Sequence, residues 1–204
     1  MIKFVSFTQD YISDLVKCLN ELDLKKLEKI VDVLLDTYRN GRKVFVMGNG
    51  GSASLASHFA CDLSKGTLQR IYDESEKRFK VYALTDNVAI LTAYANDCSF
   101  EDVFVQQLRN LVDKKDVVIV ISGSGNSRNL INAIKYAQKC KAKTIGFLGF
   151  GQGGRLGKMV DLPIIVRSRS YGICEDIQLI ISHIITSWIG RIKKSHDGKY
   201  FKSL

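Results

Sequence analysis

The chain has 204 residues, 46% hydrophobic and 25% charged, which is typical of a soluble globular protein with a single domain. No apolar run approaches the roughly 18 residues of a membrane span, and the five scattered cysteines exclude a patterned disulfide framework. The net charge of +9 favours attraction of anionic small molecules, and nucleic-acid binding is not expected because no such motif is present. Asp10 and Asp14 interrupt any secretory pattern, so we expect a cytoplasmic protein.

Apolar periodicity predicts two amphipathic helices at 8–21 and 23–40, with roles in packing and oligomerisation. Strands and helices then alternate. Predicted strands lie at 43–48, 80–84, 117–121, 143–148 and 162–166, and predicted helices at 52–65, 88–95, 100–111, 127–140 and 173–194. This order predicts an α/β fold, a three-layer sandwich with a five-stranded parallel sheet, two N-terminal helices and a long C-terminal helix. Residues 1–204 then form a single domain that ends in a polar tail at 195–204.

Two of the predicted strands run into turns rich in glycine, serine and asparagine. The first, Gly48–Ser52, is called the glycine turn, and the second, Ser122–Ser127, the serine turn. Glycines let the backbone approach a ligand, and the N-terminus of the following helix favours an anion. Two such turns indicate a phosphorylated small molecule as ligand. The glycine turn does not match the dinucleotide pattern G-x-G-x-x-G, so no nucleotide cofactor is expected.

His58 and Asp62 are four residues apart on a predicted helix and therefore share one of its faces. They can share a metal ion, or Asp62 can act as a base beside His58, or the two can form a simple surface pair. His183 lies in the apolar last helix, where a histidine is either a core residue or a functional one. Glu175 precedes it on that helix by about 12 Å along the axis. His196, in the tail, is expected to have no role.

Placement on the fold favours the functional interpretation of these residues. Ligands of doubly wound sheets bind at the carboxyl ends of the strands, where both turns and the start of the His58 helix lie. A phosphate-binding turn close to an acid–base pair is the arrangement of an active site.

Taken together and in this order, the motifs resemble the SIS domain family of sugar isomerases. They are GNGGS at 48–52, HFA at 58–60, AND at 95–97, SGSGNS at 122–127, and His183 in the last helix. The resemblance runs from about residue 8 to residue 192. It implies a homotetramer with sites at subunit interfaces and an aldose–ketose isomerase for a sugar phosphate. The implied reaction converts sedoheptulose 7-phosphate to D-glycero-D-manno-heptose 7-phosphate, which supplies heptose units of lipopolysaccharide or other surface glycans.

Carried over by position, the resemblance assigns the catalytic carboxylate to Asp62 and the catalytic histidine to His183. It implies substrate binding by Asn49, Gly50, Gly51, Ser52, Asp97, Ser122, Gly123, Ser124, Asn126, Ser127 and Glu175. In some members a zinc ion binds at positions that match His58, Asp62, Glu175 and His183.

The chain departs from the family pattern at four of these positions or beside them. The family usually has Glu at Asp62, Gln at Glu175, Asp at Gly172 and Thr at Gly123. Asp62 is one methylene shorter than Glu, and Glu175 adds a negative charge that favours a cation. The alternatives are an isomerase of another sugar phosphate and a non-catalytic SIS protein that binds a protein partner.

Overall fold

The computed structural model describes residues 3–196, apart from the side chain of His196. The strands are β1 Lys43–Gly48, β2 Lys80–Ala83, β3 Val117–Ser122, β4 Lys143–Leu148 and β5 Leu162–Ile165. The helices are α1 Phe4–Asn20, α2 Leu24–Arg39, α3 Gly51–Cys61, α4 Val88–Asp97, α5 Val103–Leu111, α6 Arg128–Lys139, α7 Leu156–Met159 and α8 Tyr171–His196. A π-helical turn, Asp62–Gly66, continues α3.

The five strands form one parallel sheet in the order β2-β1-β3-β4-β5. The predicted α/β architecture is therefore confirmed. Because all strands run in one direction, the glycine turn after β1 and the serine turn after β3 emerge side by side at the carboxyl edge. The register pairs Gly48 with Ile121 at this edge.

Side chains of successive strand residues alternate between two hydrophobic cores, one on each face of the sheet. Val44 and Val46 of β1 belong to the core formed with α2, α3 and α8. Phe45 and Met47 belong to the core formed with α5 and α6. All four are fully buried, so β1 is apolar on both faces, as expected of a strand covered by helices on both sides. No described helix is long and apolar enough to span a membrane.

Several element boundaries differ from the prediction for local reasons. Helix α5 begins at Val103, three residues late, because Ser99 and Asp102 form a separate turn closed by a bond from Ser99 Oγ to Asp102 Oδ2. Helix α1 begins at Phe4, four residues early.

The last helix is longer than predicted. Helix α8 continues through Ser195 and His196, so the predicted tail is wrong at these two residues. One side of its final turns is packed against the protein, since Lys193 is 8% exposed. The remaining tail residues, 197–204, lie outside the described part of the chain.

Candidate active site

Two histidines and one aspartate meet where α8 lies beside α3. Nε2 of His58 lies 2.9 Å from Nε2 of His183. Oδ2 of Asp62 lies 3.3 Å from Nε2 of His58 and 3.7 Å from Nε2 of His183. The side chain of Asp62 is 26% exposed and those of the histidines are about half exposed. The structure thus brings together His58, Asp62 and His183, here called the trio.

The trio offers the donor set of a zinc site. One ligand atom from each of its residues lies within 4.8 Å of the others. Ligands of a tetrahedral zinc ion at bond lengths of about 2.0–2.2 Å lie about 3.3–3.5 Å apart. The three measured separations, 2.9, 3.3 and 3.7 Å, bracket that value. The arrangement therefore fits a metal ion with little side-chain movement.

Asp62 opens the π-helical turn, which the sequence predicted as ordinary helix. Turns of this kind are frequent at functional sites. Thr67, just after the turn, is buried, and its Oγ1 donates to the carbonyl of Leu63 at 2.8 Å. This bond satisfies a carbonyl inside the π turn and holds the chain that leads away from Asp62.

Glu175 is placed at the glycine turn. A Cβ built on Gly51 would lie 2.5 Å from Oε1 and 3.0 Å from Oε2 of Glu175. The carboxylate thus approaches the N-terminus of α3, where a negative charge is favoured by the helix dipole. Gly51 and His58 are about 10 Å apart along α3. Glu175 is therefore not part of the group that the trio forms.

The serine turn is ordered by its own side chains. The N–H of Gly125 donates to Oγ of Ser122 at 3.0 Å, and the N–H of Asn126 donates to Oγ of Ser124 at 3.3 Å. Oδ1 of Asn126 accepts from the N–H of Arg155 at 3.0 Å. Ser127 is the N-cap residue of α6, and among the described residues its hydroxyl caps no helical N–H. The serine turn is therefore held in shape by its own hydrogen bonds and by the bond to Arg155.

The remaining predicted site residues differ in exposure. Ser52 is buried, whereas Gly50 is exposed and adopts φ +56° at the start of α3. Asp97 ends α4 rather than following it, and its exposed carboxylate accepts from the Asn96 amide at 2.9 Å. The side chain of Asp97 is thus exposed at the C-terminus of α4.

Three side chains at the site were missed by the sequence analysis. Asn129 exchanges two hydrogen bonds with Asn49, at 3.0 and 2.9 Å, and so ties the glycine turn to α6. The Tyr171 ring lies against Gly123 of the serine turn. The Tyr11 hydroxyl donates to Asp176 at 2.6 Å, and this bond raises the pKa of Tyr11 to about 12. Only Asn129 has a signal in the sequence, as an amide in the first turn of the helix that follows the serine turn.

A cavity of about 720 Å³ adjoins the trio. Besides the trio, the side chains of Gln69, Arg191 and Lys194 line it. The amide of Gln69 donates to the carbonyl of Gly190 at 3.1 Å, which closes one side of the cavity. The cavity is large enough for a sugar phosphate, and its added lining is polar and basic.

The segment between the π turn and β2 is anchored beside this cavity by a buried ion pair. Nζ of Lys193 lies 3.2 Å from Oε1 of Glu76, and the two side chains are 6% and 7% exposed. The carboxylate of Glu76 also accepts from the N–H groups of Gln69 and Arg70. The predicted loop at 66–78 is therefore irregular but firmly attached to α8.

Comparison with known proteins agrees with this geometry. Residues 9–149 match the SIS domain family. The chain is 34% identical over 177 residues to the phosphoheptose isomerase of Aliarcobacter butzleri, covering 87% of this chain and 88% of the relative. It is 38% identical over 161 residues to that of Geobacter sulfurreducens, covering 78% and 82%.

Solved structures give the same result. A phosphoheptose isomerase from Francisella tularensis superimposes with a TM-score of 0.81 at 28% identity, covering 91% of this chain and 95% of the other. One from Neisseria gonorrhoeae gives 0.80 at 27% identity, covering 92% and 96%. From its sequence, its fold and these relatives, the chain belongs to the SIS domain family, among the phosphoheptose isomerases.

Proposed function

We propose that the chain isomerises sedoheptulose 7-phosphate to D-glycero-D-manno-heptose 7-phosphate through an enediol. The observation that carries the proposal is the trio, which places a carboxylate and two imidazoles within 3.7 Å of one another. Proton transfer between adjacent carbons needs one base for carbon and one group that titrates near neutral pH for the oxygens. Asp62 and His183 are suited to these two roles.

In the first half of the reaction, Asp62 removes a proton from C1 of the open-chain ketose. The electron pair of the broken C–H bond forms the C1=C2 double bond, and the C2 carbonyl oxygen takes a proton from His183. The product of this half is a neutral enediol, with Asp62 protonated and His183 neutral.

In the second half, His183 takes the proton of the C1 hydroxyl while the C1=O double bond forms. The electron pair of the C1=C2 double bond then takes the proton held by Asp62, so that C2 becomes a CHOH centre. Both residues return to their starting states, and the substrate has exchanged its ketone for an aldehyde with no net gain of atoms.

The trio would also hold the metal ion, for which zinc fits the donor set of two imidazoles and a carboxylate. When bound, zinc supplies Lewis-acid polarisation of the substrate carbonyl. Asp62 cannot act freely as a base while it is tightly ligated, so its two roles compete. Glu175, predicted as a fourth ligand, lies at Gly51 and would have to leave the helix N-terminus to join them.

Substrate binding is proposed at the two turns. The hydroxyls of Ser122, Ser124 and Ser127, together with N–H groups at the start of α6, would hold the phosphate. Asn49, Ser52 and Asp97 would bind the sugar hydroxyls. The basic net charge of +9 would attract the dianionic substrate.

A homotetramer with sites at subunit interfaces is proposed as the working assembly. Apolar side chains are exposed on three helices that flank the site, where burial in an interface would be favourable. They are Phe4, Val5 and Phe7 of α1, Val88 and Ile90 of α4, and Ile184 and Trp188 of α8. The reaction is proposed to occur in the cytoplasm, where the five free cysteines stay reduced, and to supply heptose for surface glycans.

The decisive experiment incubates metal-free and zinc-loaded protein with sedoheptulose 7-phosphate and follows the aldose heptose phosphate by NMR. We expect product, in a reaction that depends on Asp62. Absence of product from folded protein in both forms would contradict the proposal. It would favour another sugar phosphate, to be screened next, or a protein-binding role, to be examined by pull-down.

A further inference from the structure

Tyr171, the first residue of α8, packs directly on the backbone of the serine turn. A Cβ built on Gly123 would lie 2.9 Å from Cε1 and 3.2 Å from Cδ1 of the Tyr171 ring. Contacts this short leave no room for a side chain at position 123. Gly123 and Tyr171 are therefore a matched pair, in which the missing side chain makes space for the ring.

A second aromatic residue holds the Tyr171 ring in place. The rings of Phe150 and Tyr171 are perpendicular, with centroids 4.6 Å apart and an interplanar angle of 82°, an arrangement that the ring quadrupoles favour. Phe150 adopts φ +50°, a left-handed conformation that is rare for a bulky residue. Such strain is kept only where the surrounding structure requires it and is common at ligand-binding sites.

The Tyr171 side chain nevertheless remains accessible. It is 59% exposed, and within the described residues its hydroxyl has no hydrogen-bond partner. The ring thus combines an apolar face, a fixed position on the anion-binding turn and an unused donor.

We propose that Tyr171 is a substrate-binding residue at the phosphate end of the site. Its hydroxyl donates a hydrogen bond to a phosphate oxygen held by the serine turn, and its ring packs on the adjoining CH₂ group. A hydroxyl that donates to a charged oxygen makes one of the stronger hydrogen bonds. The inference rests on the proposed function for the identity of the substrate, but the phosphate contact itself requires only the serine turn.

The test compares Tyr171→Phe, which removes the hydroxyl alone, with Tyr72→Phe as the matched control. Tyr72 is 97% exposed in the segment before β2. Three quantities are measured: kcat and KM for sedoheptulose 7-phosphate, and the dissociation constant of inorganic phosphate by calorimetry. For Tyr171→Phe we expect KM and the dissociation constant to rise about tenfold, with little change in kcat. The control should match the wild type in all three quantities.

A second variant tests the matched pair. Gly123→Ala displaces the Tyr171 ring, so we expect it to raise the phosphate dissociation constant in the wild type. It should have a much smaller effect in the Tyr171→Phe background, because the lost contact is shared. Equal effects of Gly123→Ala in both backgrounds would overturn the pairing of the two residues.

Unchanged phosphate affinity in folded Tyr171→Phe protein would overturn the proposal, as would a loss of kcat with KM unaltered. Failure of the proposed function has a different signature. In that case the wild type would bind phosphate in a Tyr171-dependent manner but would not convert the heptose phosphate.

Discussion

The side-chain amides of Asn49 and Asn129 bond each other in both directions, at 3.0 and 2.9 Å. One belongs to the glycine turn after β1 and the other to α6, which follows the serine turn. Asn129 is 2% exposed, and its Oδ1 also accepts from the N–H of Leu130. This pair therefore ties the glycine turn to the helix that follows the serine turn.

Replacing Asn129 with Ala should lower the free energy of unfolding by about 1–3 kcal/mol, because the amide of Asn49 loses its partner in a half-buried place. It should also raise KM, since the two turns are no longer held together. Urea unfolding and steady-state kinetics measure the two effects. Asn110→Ala, an exposed amide on α5, is the control and should change stability by less than about 0.5 kcal/mol. Equal stability and equal KM in Asn129→Ala and Asn110→Ala would contradict the role of the Asn49–Asn129 pair in holding the two turns together.

Asp62→Asn should abolish most turnover, by about 10²–10⁴-fold, because the amide cannot accept the C1 proton. The variant should fold normally, since Asp62 is partly exposed. Asp62→Glu, which restores the usual family residue, should stay active, and the surface variant Asp10→Asn should resemble the wild type. The measurement is the NMR assay with a circular dichroism spectrum for each variant. Retained turnover in Asp62→Asn would remove Asp62 from the proposed mechanism.

His183→Ala should weaken zinc binding by about 100-fold or more, because it removes one of three donors. Glu175→Gln should leave the affinity nearly unchanged, because its carboxylate lies at Gly51 rather than with the trio. Competition with a chromophoric chelator measures both dissociation constants. A large loss in Glu175→Gln would show instead that this side chain moves to become the fourth ligand.

Glu76→Gln should destabilise the protein by about 3 kcal/mol, because the buried ammonium of Lys193 loses its counter-charge. Burial raises the pKa of Glu76, but hydrogen bonds from Gln69 and Arg70 and the contact with Lys193 outweigh it, so the pKa lies below its usual 4.5. The stabilisation is therefore fully present above that pH and is lost as pH falls through the lowered pKa.

Chemical unfolding as a function of pH measures this effect. The difference between the wild type and Glu76→Gln should be constant near neutrality and should shrink below pH 4.5. Lys26→Met, which breaks an exposed pair with Asp23 at 3.5 Å, should cost at most about 1 kcal/mol. A difference that does not depend on pH would mean that the charge of Glu76 contributes nothing to stability.

Gly125→Ala should destabilise the serine turn far more than Gly41→Ala, although the two glycines have nearly the same φ, +63° and +64°. A Cβ on Gly125 would lie 2.0 Å from the carbonyl oxygen of Gly153, whereas one on Gly41 would meet nothing within 4 Å. We expect about 1–2 kcal/mol for Gly41→Ala from backbone conformation alone. Thermal unfolding of the two variants separates the steric cost at Gly125 from the cost of backbone conformation. Equal losses of stability in the two variants would contradict the close approach of Gly125 to Gly153.

Local sequence patterns predicted the features of the fold and site that depend on residues close together in the sequence. The His58–Asp62 spacing placed both side chains on one helical face, and the 3.3 Å contact confirms that they meet. The alternation of strands and helices predicted the sheet, since parallel strands need crossover helices. The π turn was not predicted, because the choice between two hydrogen-bond patterns depends on packing against α8 rather than on composition.

Contacts between residues far apart in the sequence could not be predicted from it. Spacing along α8 did not determine whether Glu175 points to the trio or to the glycine turn, and the structure places it at the glycine turn. The Tyr171–Gly123 contact joins the serine turn to α8. Neither residue alone has a sequence signal that predicts the contact. Such pairs depend on the crossing of two elements, which no local periodicity encodes.

His58 and His183 are 125 positions apart in the sequence, and this separation matters during synthesis of the protein. During synthesis the glycine turn, the serine turn and most of the sheet leave the ribosome before α8 does. A chain that stops short of α8 has both turns but lacks His183, one of the two groups proposed to move protons. Closing so long a loop costs entropy that only the packed last helix offsets. In the proposed mechanism, turnover of sugar phosphate therefore requires α8, the last helix that the structure describes.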